Sequence, residues 1–140
     1  MYVDKALINE LLEAAKVNPR LRSNKDLRTS QYDNSQRMLN GLQPGTVVPV
    51  HRHTATSETV VVLHGRLEEV YYEVRMDSIS GNRTVIETER ILLSADGPVF
   101  GLDIPKGQWH TVSVLEPTVI LECKDGAYQP LSPDDVVEIR

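Results

Sequence analysis

Residues 45–65 read GTVVPVHRHTATSETVVVLHG and decide how the rest of the chain is understood. Valine-rich runs flank a small polar connection, Thr54-Ala55-Thr56-Ser57, which is the texture of two short strands and a turn. In an extended strand, side chains at i and i+2 share a face, so His51 and His53 project together while Arg52 projects away. Glu58 opens the following strand and can return into the same interior. A third histidine, His110, stands far along the chain. Three neutral imidazoles and a carboxylate are a complete ligand set for one divalent transition ion, whether Mn, Fe, Co, Ni or Zn. They leave two positions of an octahedral ion open to water or substrate oxygens.

Working outward, short runs rich in Val, Ile, Leu and Thr are punctuated at Pro44-Gly45, His64-Gly65, Ser80-Gly81-Asn82, Ala95-Asp96-Gly97-Pro98, Lys106-Gly107, Glu116-Pro117 and Asp125-Gly126. That spacing predicts strands over 36–42, 46–51, 58–63, 66–76, 83–93, 99–104, 110–115 and 118–124. No helix of crossover length lies between them, so the expected architecture is an antiparallel double-sheet jelly roll rather than a parallel sheet. Residues 4–17 instead place Leu7, Leu11, Leu12 and Ala15 on one helical stripe, with Asp4 as N-cap or first-turn acid and Pro19 as the stop. Residues 18–35 are polar and read as a long connection with one or two extended pieces.

The 140 residues suit one domain. Within it, residues 1–34 are expected to pack as helix and polar connection on a barrel formed by residues 35–140. A net charge of −5 argues against a nucleic-acid binder, which needs a basic face to displace counterions. Cys123 is the single cysteine, so no internal disulfide can form, and its strand setting lacks an evident histidine partner. The N-terminal stretch carries Asp4, Glu10 and Glu13 instead of an uninterrupted apolar run, and nowhere do 18 apolar residues run together. The expectation is a cytoplasmic protein with no membrane partner. Sheet edges left open by a small barrel, one of them within reach of the N-terminal helix, predict a homodimer.

The spacing Gly45-(five residues)-His51-Arg52-His53-(four residues)-Glu58-(six residues)-Gly65 resembles in full the first sequence motif of the cupin superfamily. Pro105-Lys106-Gly107-Gln108-Trp109-His110 resembles the core of its second motif, where a turn delivers the last histidine. That second motif departs from the pattern at Val99, where a glycine is expected, and at Val114, where an asparagine is common. Flanking residues narrow the resemblance: Asn18 to Arg22, Gln36 to Leu39, Pro49 to His53, Trp109 to Val112, Leu115 to Pro117 and Glu122 to Tyr128 look like the WbuC-type cupin-fold metalloproteins. In that group a short aromatic-rich tail is usual, and this chain carries Asp134 to Arg140 in its place. The resemblance implies a single cupin jelly-roll β-barrel, or double-stranded β-helix, holding one divalent metal through His51, His53, Glu58 and His110. It also implies an association with surface-polysaccharide metabolism.

Three activities are compatible with such a site. The first is metal-dependent isomerisation or epimerisation of a sugar or small oxygenated metabolite, for which Glu122, Tyr71 and Tyr72 are candidate proton carriers. Arg20, Arg22, Arg37 and Lys124 are candidates for holding a phosphate or carboxylate of that ligand, although a basic run such as Arg20 to Arg28 is more often a solvated loop. The second is oxygen chemistry at Fe(II), an iron-dependent dioxygenase. The third is a non-catalytic module in which the metal anchors a small sugar or carboxylate. His64 abuts the turn at Gly65 and is assigned to that turn rather than to the metal.

Overall fold

Asp4 is extended, and its carboxylate accepts the Leu7 amide at 2.9 Å, so helix α1 (Lys5–Val17) starts at the residue whose side chain can cap it. Asn18 returns to extended geometry immediately before Pro19 and ends it. The buried stripe of Leu7, Leu11 and Ala15 lies on the outside of a sheet, where Leu7 and Leu11 meet Leu39 and Val119. In this computed structural model, which describes residues 1–138, ten strands follow. They are β1 (Arg22–Asp26), β2 (Ser35–Leu42), β3 (Val50–His51), β4 (Glu58–His64), β5 (Arg66–Met76), β6 (Arg83–Ser94), β7 (Gly101–Ile104), β8 (Trp109–Val114), β9 (Thr118–Asp125) and β10 (Val136–Val137).

The strands form two five-stranded antiparallel sheets, ordered β1-β2-β9-β4-β7 and β10-β3-β8-β5-β6, in the expected jelly-roll arrangement. Three local differences from the sequence reading have physical causes. Strand β1 comes from the polar connection; it is a largely exposed edge strand paired with β2, so it needs no apolar alternation to be stable. Strand β10 comes from the C-terminal stretch, whose Ile139 and Arg140 lie outside the described residues, and it pairs with β3. The strand expected over 46–51 is reduced to Val50–His51, because Pro49 has no amide to give and the Thr46 hydroxyl donates locally, to Gln43 O at 2.6 Å and Leu21 O at 2.9 Å.

Between the sheets, Leu42, Val60, Val62, Leu67, Leu93, Ile104 and Ile120 form the apolar core. The register shows how that core gives way to a polar end. On β4 and β9, Val62 pairs with Ile120, Val60 with Glu122 and Glu58 with Lys124. On β5 and β8, Leu67 pairs with Val114, Glu69 with Val112 and Tyr71 with His110. Because alternate residues share a face, each of these four strands runs from an apolar floor towards a titratable mouth. Gly65, at the β4–β5 corner, has φ +85, and a Cβ there would meet Pro117 O at 2.2 Å, so the motif's closing glycine is required sterically as well as conformationally.

Candidate metal centre and cavity

His51 and His110 are register partners on β3 and β8, with ring centroids 4.3 Å apart. His53 lies just beyond the end of β3, and its ring centroid is 5.1 Å from that of His51 and 5.8 Å from that of His110. One ligating atom from each of the three rings falls within 4.8 Å of the others. Glu58 reaches them from the opposite sheet, its Oε2 standing 3.2 Å from His53 Nε2 and 3.6 Å from His110 Nε2.

The same local device orients two of the rings. His51 Nδ1 lies 2.8 Å from the carbonyl of Pro49, and His110 Nδ1 lies 2.9 Å from the carbonyl of Gln108, each two residues upstream. A carbonyl only accepts, so each Nδ1 carries the proton and each Nε2 presents a lone pair. His110 Nε2 therefore turns a lone pair towards a carboxylate oxygen, while His53 Nε2 and Glu58 Oε2 are buried with no hydrogen-bond partner. Electron-rich atoms set face to face in a buried site are stabilised by a cation between them, and a nitrogen–oxygen donor set suits a divalent transition ion.

The charge state of His51 agrees with this. Burial, reinforced by the neighbouring His110 and His53, pushes His51 down to about 4, so the ring is neutral at neutral pH.

The four residues open into a cavity of about 730 Å³. Of the sequence candidates, Glu122, Arg20, Arg22 and Lys124 line it, whereas Tyr71, Tyr72 and Arg37 do not. Tyr71 packs against the apolar core and burial raises its phenol to about 12. Tyr72 lies on the outer face of its sheet, against the cluster of Val50, Trp109 and Val137. Arg37 is committed elsewhere, to Asp33 at 3.2 Å and Leu27 O at 3.3 Å. Glu122 accepts from Asn40 Nδ2 at 2.8 Å, and burial together with the negative charge of Glu58 lifts its carboxyl to about 8 against the pull of Lys124.

Two contributors escaped the sequence reading. Glu69 lines the cavity at 2% exposure, its Oε2 without a partner, and burial plus the charges of Glu58 and Glu122 raise it well above the ordinary range. The available signal was an acid standing in the inward register of β5 between Leu67 and Tyr71. The second is the stretch 126–135, which contributes Tyr128, Leu131 and Asp135 to the cavity wall. It is tied down by Arg52 Nε, which donates to Asp135 at 2.8 Å while the guanidinium lies 4.6 Å from the centroid of the Trp109 ring.

Fold and site together define a cupin-fold jelly roll that carries a His-His-His-Glu candidate metal centre. Within that class, the chain belongs to the family described as a domain of unknown function, DUF6016, which matches residues 3–81. No curated protein matches the chain. Among solved structures it is similar to the capsular polysaccharide assembling protein CapF from Staphylococcus aureus, at 22% identity and TM-score 0.63, over 88% of this chain and 31% of CapF. It is also similar to KdgF from Halomonas sp., at 18% identity and TM-score 0.56, over 80% of this chain and 85% of that one. Oxalate oxidase in complex with the substrate analogue glycolate aligns at 16% identity and TM-score 0.58, over 81% of this chain and 55% of the oxidase. The chain thus spans about a third of CapF, and these likenesses establish the shared fold. Among the described residues, no helix is long and apolar enough to cross a membrane.

Proposed function

We propose that the protein binds one divalent transition metal through His51, His53, Glu58 and His110 and isomerises or epimerises a sugar or small oxygenated acid. The observation that carries this reading is the convergence of buried, unpartnered His53 Nε2 and Glu58 Oε2 with two imidazoles whose Nδ1 protons are already committed, at the wall of an open cavity. A divalent ion held there would supply Lewis acidity towards a carbonyl oxygen, which acidifies the adjacent carbon. The chain's own residues supply the rest. Glu122, lifted to about 8 and held in place by the Asn40 amide, is the proton carrier: its ionised form takes the proton from carbon and, as the acid, returns it to the neighbouring carbon or to the opposite face. Arg20, Arg22 and Lys124 give the cavity a cationic side that pairs with a carboxylate or phosphate.

A surface-polysaccharide setting is supported by the WbuC-type sequence resemblance and is compatible with the fold shared with CapF. We assign the protein to the cytoplasm as a homodimer, a state checked by its mass in solution at micromolar concentration. The function is tested by metal analysis of the purified protein, followed by a turnover screen of nucleotide sugars and small keto and hydroxy acids. About one metal per subunit and conversion without oxygen uptake is the expected result. Oxygen uptake coupled to conversion would replace isomerisation with oxygenation, and failure to retain metal after reconstitution would remove the basis of the reading.

A further inference from the structure

Glu69 is a buried acid of the cavity that neither the candidate metal centre nor the proton carrier uses. It stands on β5, in the sheet that holds His51 and His110, and Glu122 stands on β9 in the other sheet; both line the same cavity. Glu122 has a partner in Asn40, whereas Glu69 Oε2 has none at 2% exposure. An unpartnered buried carboxyl oxygen costs stability unless something in the cavity satisfies it. Its register partners, Val112 on β8 and Ile91 on β6, are apolar, and no hydrogen-bond donor of the protein reaches Oε2. A hydroxyl of the cavity's occupant, met by a small turn of the Glu69 side chain, would supply that partner.

We propose that Glu69 and Glu122, one from each of the sheets that line the cavity, form a hydroxyl-binding subsite that selects polyhydroxylated acids over deoxy acids of the same length. The inference rests on the reading of the cavity as a metal-anchored ligand site and names its substrate class. The polarity of the cavity orders the ligand: the charged end meets Arg20, Arg22 and Lys124, and the hydroxylated chain reaches the two carboxyls. A carboxyl oxygen accepts from a hydroxyl whether the group is ionised or protonated. A site built to bond hydroxyls discriminates strongly against a ligand that lacks them, because its buried polar groups are then left unpaired.

The test uses full-length protein reconstituted with manganese and two probes, D-gluconate and 2-hydroxyhexanoate, titrated calorimetrically. The probes share carboxylate, α-hydroxyl and chain length and differ only in the distal hydroxyls. Wild type should prefer gluconate by roughly tenfold or more, one to two buried hydrogen bonds. Glu69→Leu should bring that ratio close to one while keeping the metal content and the affinity for 2-hydroxyhexanoate, which also demonstrates a folded site. Glu69→Met, closer in shape, repeats the reading should the leucine variant fold poorly, and Glu69→Gln, which retains an acceptor and a donor, should restore most of the preference. An unchanged preference in the apolar variants, no preference in wild type, or loss of metal in Glu69→Gln each overturns the subsite. If metal binds but neither probe does, the ligand-site reading itself fails and the subsite falls with it.

Discussion

The amide of Gly107 donates to the carbonyl of His53 at 2.7 Å, so the turn that delivers His110 is bonded to the backbone of the histidine it must meet. Residues more than fifty positions apart in sequence are thereby held in one constellation by main-chain geometry, before any ion is considered. Gly107 has φ +85, a left-handed turn position that glycine adopts without a Cβ penalty.

That relationship predicts different costs for two glycines that share a positive φ. A Cβ at Gly107 meets nothing within 4 Å, so Gly107→Ala should cost only the left-handed backbone penalty of about 1–2 kcal/mol. At Gly65 the added carbon would lie 2.2 Å from Pro117 O, and Gly65→Ala should cost more than about 3 kcal/mol because backbone must move. Urea unfolding of the two variants side by side measures the difference; equal losses would contradict the steric account.

Removing one ligand should separate metal binding from folding. His110→Ala is expected to weaken metal affinity by more than about 100-fold, since outer-shell partners alone are worth 10–100-fold. Chelator treatment of wild type should lower its unfolding midpoint by an amount set by ligand linkage, about 2.7 kcal/mol where free metal stands at a hundred times its dissociation constant. His110→Ala should show no such chelator response, as read by metal analysis and thermal unfolding.

The metal-free protein should be most stable in mildly acidic solution, with a limb on either side. Glu122 titrates near 8 in the folded chain against an ordinary 4.5, so its contribution is fully present below 4.5 and is lost as pH rises through about 8. His51 titrates near 4 against 6.5, so the unfolded chain takes up a proton first and stability falls as pH drops from 6.5 towards 4. Each group changes stability by up to about 1.4 kcal/mol per pH unit inside its window. Glu122→Gln should make the alkaline limb shallower in chelator-treated protein, leaving the part due to Glu69, and should leave the acid limb in place, as followed by urea midpoints at pH 5, 6.5 and 8.

The arginines should divide by location rather than by charge. Arg22→Ala and Lys124→Ala are expected to weaken binding of a small hydroxy acid by roughly 10-fold each, with reduced salt sensitivity and unchanged metal content. Arg37→Ala, outside the cavity and paired with Asp33, should leave ligand affinity unchanged. A loss of affinity in Arg37→Ala equal to that in Arg22→Ala would break this division.

The legible part of this protein is local. Alternation along 58–63 and 118–124, the glycines and prolines between runs, the cap at Asp4 and the His51-Arg52-His53 spacing all act within a few residues, so they show in the order of amino acids. Edge strand β1 was only an extended piece in a polar connection, because an exposed strand paired on one side carries no apolar alternation. Arg37 looked equivalent to Arg22, and Tyr71 and Tyr72 to Glu122, because residue type does not say which side chains the folded strands turn towards the cavity.

The sequence by itself determined the jelly-roll class and the four candidate ligands, because strand periodicity and ligand chemistry are properties of residues and their spacing. Only the tertiary structure decided that Glu69 and Glu122 share a cavity, that Arg20, Arg22 and Lys124 line it, and that His51 stays neutral. Those outcomes depend on the register between strands distant in the chain, which sets the burial and the neighbouring charges that control each group's proton.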